Sequence, residues 1–413
     1  MDRKWLQQEG QSWTQKGIIT TEQYQRILAL YPQQNRAIGI IPLLGSILVG
    51  LGILSFVAAN WQQIPQLIRL LIIALTMIGF YTSGEAFRRR SHEKLGVALI
   101  GLGLLTFGAG IVLIGQMFHL QAYDVTSFIA WGTAGLLLTW LIKSRYLFII
   151  TLLIFTCLQW YNGTEFSQFS FVAFAIMIMG LGYYWLKRPN TLLAWLLAAS
   201  FTIQSLLLVT VHDWAFSWFF IPVWLLYTVM DWTKERKSVY PFQAIPLVAA
   251  FLHNLFIVLF WNDSNDSSFL KDLAAQPVWF VLALVLLFGL SLAGKYRSGR
   301  LSSGVDWILA LPFFYLAHGA DGAYLITLFL FSLYLLWRGY AEEWAVKINL
   351  GTLLFLTSTM AAYGKLAWDF MDKSIFFIIG GVLLLVLSWF LNRRKKQFLT
   401  ELQEEEEHRH DDK

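Results

Sequence analysis

Apolar runs of membrane-crossing length follow one another from Ile38 to Leu391, separated only by short polar gaps. A hydrocarbon core of roughly 30 Å takes about 20 residues of helix to cross, so each run predicts one spanning helix. The predicted spans are 38–59, 65–84, 95–117, 125–142, 146–161, 167–186, 191–211, 214–231, 242–261, 277–294, 303–318, 320–337, 346–363 and 374–391. The expected fold class is all-α, a polytopic transmembrane helix bundle of about 14 spans. Two members depart from the pattern: 146–161 is short, and 303–318 holds Asp306 and Pro312. If 303–318 and 320–337 formed a re-entrant pair, twelve spans and a hairpin would remain, with every later loop on the same side.

Charge distinguishes the two sides. With the N-terminus inside, Arg88 to Arg90 and Lys94, Lys143 and Arg145, Lys187 and Arg188, Lys234, Arg236 and Lys237, Lys295, Arg297 and Arg300, Arg338 and Lys347, and Arg393 to Lys396 all fall on that side. Of 31 Lys and Arg residues, only Arg69, Lys271, Lys365 and Lys373 do not. One missed helix would invert every later loop, so the alternation supports the count, and it places both termini in the cytoplasm.

Composition agrees with this threading. The chain is 57% apolar and 14% charged, against about 25% charged in a soluble domain. Its net charge of +5 is spread over many loops instead of one stripe, which speaks against nucleic acid as a partner. Cys157 is the single cysteine, so no disulfide or Cys-based metal cluster forms within one chain. The first forty residues lack the basic start, short apolar core and cleavage site of a signal peptide, so no removal is expected.

Two patterns bear on packing. Gly96, Gly103 and Gly110 recur every seven residues, as do Gly101, Gly108 and Gly115. Each set makes a nearly straight groove, and the two grooves lie on different sides of the third span, so neighbours are expected to approach closely on both. Trp61, Trp160, Trp185, Trp214, Trp232, Trp261, Trp279, Trp337 and Trp389 fall at predicted helix ends, where indole rings form an interfacial belt.

Four regions follow. Residues 1–36 read as a cytoplasmic helical hairpin: Gly17 marks a helix stop, Thr20 and Gln23 have capping-box spacing, and Tyr24, Ile27, Leu28 and Tyr31 repeat at helical intervals until Pro32. Residues 37–150 and 151–392 are membrane segments. Residues 393–413 are a basic cluster and a solvated, disordered acidic tail.

The first of these membrane segments carries a resemblance. Gly17-Ile18-Ile19-Thr20, Ala58-Ala59-Asn60-Trp61 with Ile64-Pro65 and Arg69, Gly108-Ala109-Gly110-Ile111, and Gly115-Gln116-Met117-Phe118-His119-Leu120 together resemble the bacterial membrane proteins of the domain of unknown function 2157 family. The resemblance is closest over about residues 5–150. It implies the bacterial cytoplasmic membrane and a multi-span architecture, and it supplies no reaction.

Charged and polar groups in lipid are the natural place to look for function. Arg69 lies about one turn inside the outer end of the second span, and the family-like blocks put Asn60, Trp61, Gln116 and His119 at the same level. Arg69 either engages a phosphate or carboxylate there or snorkels to the outer headgroups. His119, His212 and His318 end three spans on the outer side near Asp124, Asp213 and Asp321, while His253 with Asn254 sits deeper. A proton relay through His253, His212 and Asp213 and an outer Zn²⁺ or Cu²⁺ site are the sharper readings; ordinary cap and turn residues are the plainer one, and no metal is assigned. His119 and Asp124 have the H-x4-D spacing of some acyltransferases, but no substrate-binding block, HExxH, Walker sequence or partnered GxSxG accompanies them.

The expectation is a non-enzymatic transporter or lipid- or anion-handling protein with membrane lipids as partners and no cofactor. Its rival is a scaffold or sensory subunit that recruits a protein partner through the N-terminal hairpin. Proton-coupled carriers usually place carboxylates near a span centre, and the sequence positions none there.

Overall fold

The computed structural model describes residues 16–30, 64–90, 92–119, 124–233, 236–260, 276–299, 301–316 and 319–367, with isolated positions elsewhere. The predicted span 38–59, most of 374–391, Asn60, Trp61, Trp261, His318 and the acidic tail lie outside the described residues. All regular structure among the described residues is helical. The chain forms two compact units, Met1–Ala74 and Leu75–Lys413.

In the first unit, helix α1 (Thr21–Leu30) starts on the capping box that its spacing predicts. The Gln23 side chain accepts from the Thr20 amide at 2.9 Å, and the Thr20 hydroxyl accepts from the Gln23 amide at 3.3 Å. These reciprocal bonds satisfy donors that the first helical turn leaves without partners. Ahead of α1, Gly17 adopts φ +70° while the Ile18 amide reaches back to the Trp13 carbonyl at 3.0 Å. That left-handed conformation is open to glycine without Cβ strain, and it ends the preceding turn.

Among the described residues, eight helices are long and apolar enough to cross a membrane. They are α2 (Gln66–Arg89), α3 (Glu93–Met117), α5 (Arg145–Phe166), α7 (Thr191–Val211), α9 (Pro241–Phe260), α10 (Pro277–Ser298), α11 (Ala320–Ala341) and α12, whose apolar part is Ala345–Lys365. Three shorter apolar helices lie between them: α4 (Thr126–Ile142), α6 (Phe171–Lys187) and α8 (Phe216–Asp231). α6 contains a π turn at Ile178–Gly182.

The glycines of α3 set its neighbours. A Cβ on Gly96 would stand 2.5 Å from the Gly84 carbonyl oxygen and 2.6 Å from the Arg88 nitrogen, and one on Gly103 would be 3.0 Å from the Tyr81 ring. Those residues all belong to α2. On the other groove, Gly101 meets Tyr146 of α5 and Gly108 meets Trp131 of α4. Trp131 also donates to the Leu104 carbonyl at 2.8 Å. Different helices therefore approach the two predicted grooves, α2 at Gly96 and Gly103 and α4 and α5 at Gly108 and Gly101, while Gly115 has nothing within 4 Å.

Beyond α3, the second unit has two main cores. Phe148, Phe155, Met177, Tyr184, Trp185 and Leu197 centre the one built from α4 to α7. Phe220, Trp224, Tyr227, Phe251, Phe280 and Phe331 centre the one built from α8 to α12. Trp185 is buried and donates to the Asn190 carbonyl at 3.2 Å, which corrects its assignment to the interfacial belt. Trp160, Trp214, Trp232, Trp279, Trp337 and Trp389 are exposed.

The segment after α10 is not the α-helix that 303–318 predicts. Leu301–Ala310 is a ten-residue 3-10 helix, followed by the short 3-10 turn Phe313–Tyr315. A 3-10 helix rises about 2.0 Å per residue against about 1.5 Å for an α-helix, so a run too short to cross as α gains reach in this form. It also eclipses residues three apart, and the buried face is Ser303, Asp306 and Leu309 while Val305 and Leu311 face outward. Two side chains from neighbouring helices satisfy its backbone. Asn254 donates to the Leu309 carbonyl at 2.9 Å, and the Tyr324 hydroxyl accepts from the Phe314 amide at 3.2 Å.

Candidate functional site

The basic ends of α8, α10 and α11 converge on the starts of α9 and α12. Helical periodicity aims their polar residues inward: Tyr227 and Asp231 lie one turn apart on α8, Ser291 and Lys295 on α10, Tyr334 and Arg338 on α11. Lys295 and Asp231 side chains are fully buried and pair at 3.1 Å. The Lys295 ammonium also donates to Tyr227 at 2.7 Å and to Ser303 at 3.0 Å, so its three donors all have acceptors. Asp231 further accepts from Ser291 at 2.6 Å and from Gln243 at 2.8 Å. Tyr227 in turn donates to Asp306 at 2.5 Å, which extends the chain of bonds onto the 3-10 segment.

A second ionic group adjoins the first. Arg338 donates to Glu342 at 2.7 Å and to the Tyr334 hydroxyl at 2.9 Å, and Lys347 pairs with Glu342 at 2.5 Å. Burial alone would raise the Glu342 carboxyl, but hydrogen bonds from Lys347 and Arg338 and their charges prevail and hold it below the usual range. Between the two groups lies a cavity of about 30 Å³ walled by Tyr240, Gln243, Ser303, Asp306, Arg338 and Lys347. The Tyr240 hydroxyl is buried without a hydrogen-bond partner, and burial pushes its phenol well above the ordinary value. Three cations and three carboxylates thus share one end of the bundle: Lys295, Arg338 and Lys347 with Asp231, Asp306 and Glu342.

The side-chain groups singled out from sequence are placed elsewhere. Arg69 is half-buried in the first unit and donates from Nε to the Ile64 carbonyl at 2.6 Å. Gln116 and His119 are exposed near the end of α3 in the second unit, with His119 at φ +50°. Asp124 accepts from the Thr126 amide at 2.9 Å, and that bond with the Thr126 side-chain bond holds its carboxyl below the usual range. It acts as a helix-start residue. His212 is exposed and bonds through Nδ1 to the Leu208 carbonyl at 2.9 Å, beside Asp213 at φ +50°. His253 lies deep in α9 with neither ring nitrogen partnered and Phe220 edge-on at 4.6 Å. Asp321 pairs with Lys365 at 3.6 Å, which accounts for one of the basic residues that fall on the wrong side of the charge alternation. Among the described residues, no three His, Cys, Asp or Glu side chains are grouped to hold a metal.

The ionic network was missed because its members read as loop charges. Lys295 and Arg338 lie within the last turn of long apolar helices, and only contact between helices decides whether such an end is solvated or enclosed. The available signal was the repeated i,i+4 pairing of a hydroxyl with a charge at three helix ends, together with Ser303 and Asp306 at the 3-10 spacing.

Residues 11–148 match the family model described as predicted membrane protein (DUF2157). Neither the curated proteins nor the solved structures give a match. The ionic network, residues 227–347, lies beyond the matched segment.

Proposed function

Since the segment 11–148 belongs to the DUF2157 family of predicted membrane proteins, we propose that the chain is a multi-pass protein of the bacterial cytoplasmic membrane that handles protons or small ions through its buried ionic network. About fourteen spans thread the lipid, both termini are cytoplasmic, and the network lies at the cytoplasmic end. The reading assigns no catalytic step and no cofactor. Membrane lipids surround the bundle, and the N-terminal hairpin docks a protein partner. An outer-leaflet anion site at Arg69, with Asn60, Trp61, Gln116 and His119, rests on sequence alone.

One observation carries the reading: the complete burial of Lys295 and Asp231 in hydrogen-bonded contact with Tyr227 and Asp306. Charges in a spanning region are expensive, and apolar residues of similar volume often serve stability as well or better. The network also supplies the buried carboxylates that a proton-coupled carrier needs and that a count of span centres does not find. The small cavity favours protons and ions of water size over bulky substrates.

Mutual neutralisation of the six charges favours a second reading, a scaffold whose network only locks helices together. Reconstitution into liposomes with an internal pH-sensitive dye separates the two. Proton uptake under an imposed inward pH gradient, lost in Asp306→Asn that still folds, is the expected result. A wild-type protein that moves no protons while folding normally favours the scaffold.

A further inference from the structure

We propose that the cavity between Asp306, Arg338 and Lys347 binds one small monovalent anion of chloride size, taken up together with a proton on Asp306. The proposal rests on the ion-handling reading above and names its ligand. Three features of the cavity support it. Its volume of about 30 Å³ matches a single ion of about water size. Its wall carries two cations, and Tyr240, only 7% exposed, brings a hydroxyl that has no hydrogen-bond partner among the described residues. A buried donor of that kind costs stability unless a ligand accepts from it.

Charge explains why a proton must accompany the anion. Arg338 and Lys347 balance Glu342 and Asp306, while Lys295 balances Asp231, so the network of six charges around the cavity has no net positive charge to hold an anion. A proton on Asp306 leaves one positive charge in excess beside the cavity, and one chloride restores neutrality. The groups that face Asp306 come from every packed element: Tyr227 and Asp231 of α8, Tyr240 before α9, Lys295 of α10, Tyr334 and Arg338 of α11 with Glu342 at its end, and Lys347 at the start of α12. None of the others changes its charge so directly next to the cavity without first breaking an ion pair. Binding of proton and anion is then reciprocal: each raises the affinity for the other.

The test uses the full-length protein in detergent, with chloride exchanged for gluconate at constant ionic strength. Chloride should raise the unfolding temperature, and more so at about pH 5.5 than at about pH 7.5, because binding needs the proton. Tyr240→Phe should leave stability in gluconate unchanged or higher, since it removes a donor with no partner, and weaken chloride binding about tenfold. Asp306→Asn should make chloride binding independent of pH. In liposomes, wild-type proton uptake should require chloride. Uptake that proceeds equally in gluconate overturns the anion site and leaves the proton-handling reading standing. The absence of both uptake and chloride stabilisation overturns both.

Discussion

Tyr227 and Asp306 lie 79 residues apart in the chain, yet the phenol of one donates to the carboxylate of the other at 2.5 Å within a buried network. The same phenol accepts from Lys295, so one hydroxyl links a cation to an acid on the 3-10 segment. Removing Lys295 would leave the Asp231 carboxylate buried without its paired cation, beside the hydrogen bonds from Ser291 and Gln243. Lys295→Met is therefore expected to lose about 3–5 kcal/mol of stability, and Lys295→Met with Asp231→Leu to lose clearly less. Unfolding in mixed detergent and denaturant, run on both variants, measures the difference. Equal losses would mean that the charges are not coupled.

The α2–α3 crossing makes a second prediction. A Cβ on Gly96 would meet two backbone atoms of α2 at 2.5 and 2.6 Å, and backbone has no rotamer by which to withdraw. Gly96→Ala should cost more than about 1 kcal/mol despite alanine's better helix propensity. Gly115→Ala, with nothing within 4 Å of the added carbon, should be neutral or stabilising. Comparing the unfolding temperatures of the two variants tests whether the seven-residue glycine grooves serve close packing.

Those grooves were legible because a seven-residue repeat fixes the face of a helix without reference to any partner, and the Thr20–Gln23 capping box was legible because its bonds are local. The 3-10 segment over residues 301–315 was legible only as an anomaly. Asp306, Pro312 and a short run signalled an irregular helix, but the choice of 3-10 geometry depends on Asn254 and Tyr324, which satisfy its backbone from elsewhere. The ionic network was hidden for the same reason. Whether Lys295 meets water or Asp231 depends on helices whose packing no local pattern specifies. Trp185 shows it on a smaller scale: a residue at a predicted span end lies inside the bundle because α7 and the start of α9 cover it.

Glu342 makes stability sensitive to acid. Its folded carboxyl titrates below its ordinary value of 4.5 because Lys347 and Arg338 bond to it. A group with a lowered folded value contributes fully above the unfolded value, and its contribution is lost as pH falls through the folded one. Between about pH 5 and 7 Glu342 should therefore leave the unfolding temperature unaffected, with a decline at lower pH. Glu342→Gln should be less stable at neutral pH, where Arg338 and Lys347 lose their anion, and should show a shallower decline in acid. Parallel slopes for both proteins would assign the acid loss to another group.

Asn254 is the side chain on which the 3-10 segment most depends. Its amide donates to the Leu309 carbonyl at 2.9 Å, at the point where the 3-10 ladder gives way to Pro312 and a carbonyl would otherwise face apolar surroundings. In lipid no water replaces a lost donor, so the unsatisfied carbonyl keeps its full desolvation cost. Asn254→Leu keeps the branched shape without the donor and should cost about 1–3 kcal/mol. The damage should be local: faster amide exchange across residues 309–316 and little change in α5 to α7, which pack around a separate core. Tyr324→Phe, which removes one acceptor from the Phe314 amide, should loosen the same stretch. If Asn254→Leu instead left exchange in that stretch unchanged, the carbonyl would have found another donor, and the 3-10 segment would owe its geometry to packing of Ser303, Asp306 and Leu309 against their neighbours rather than to the α9 amide.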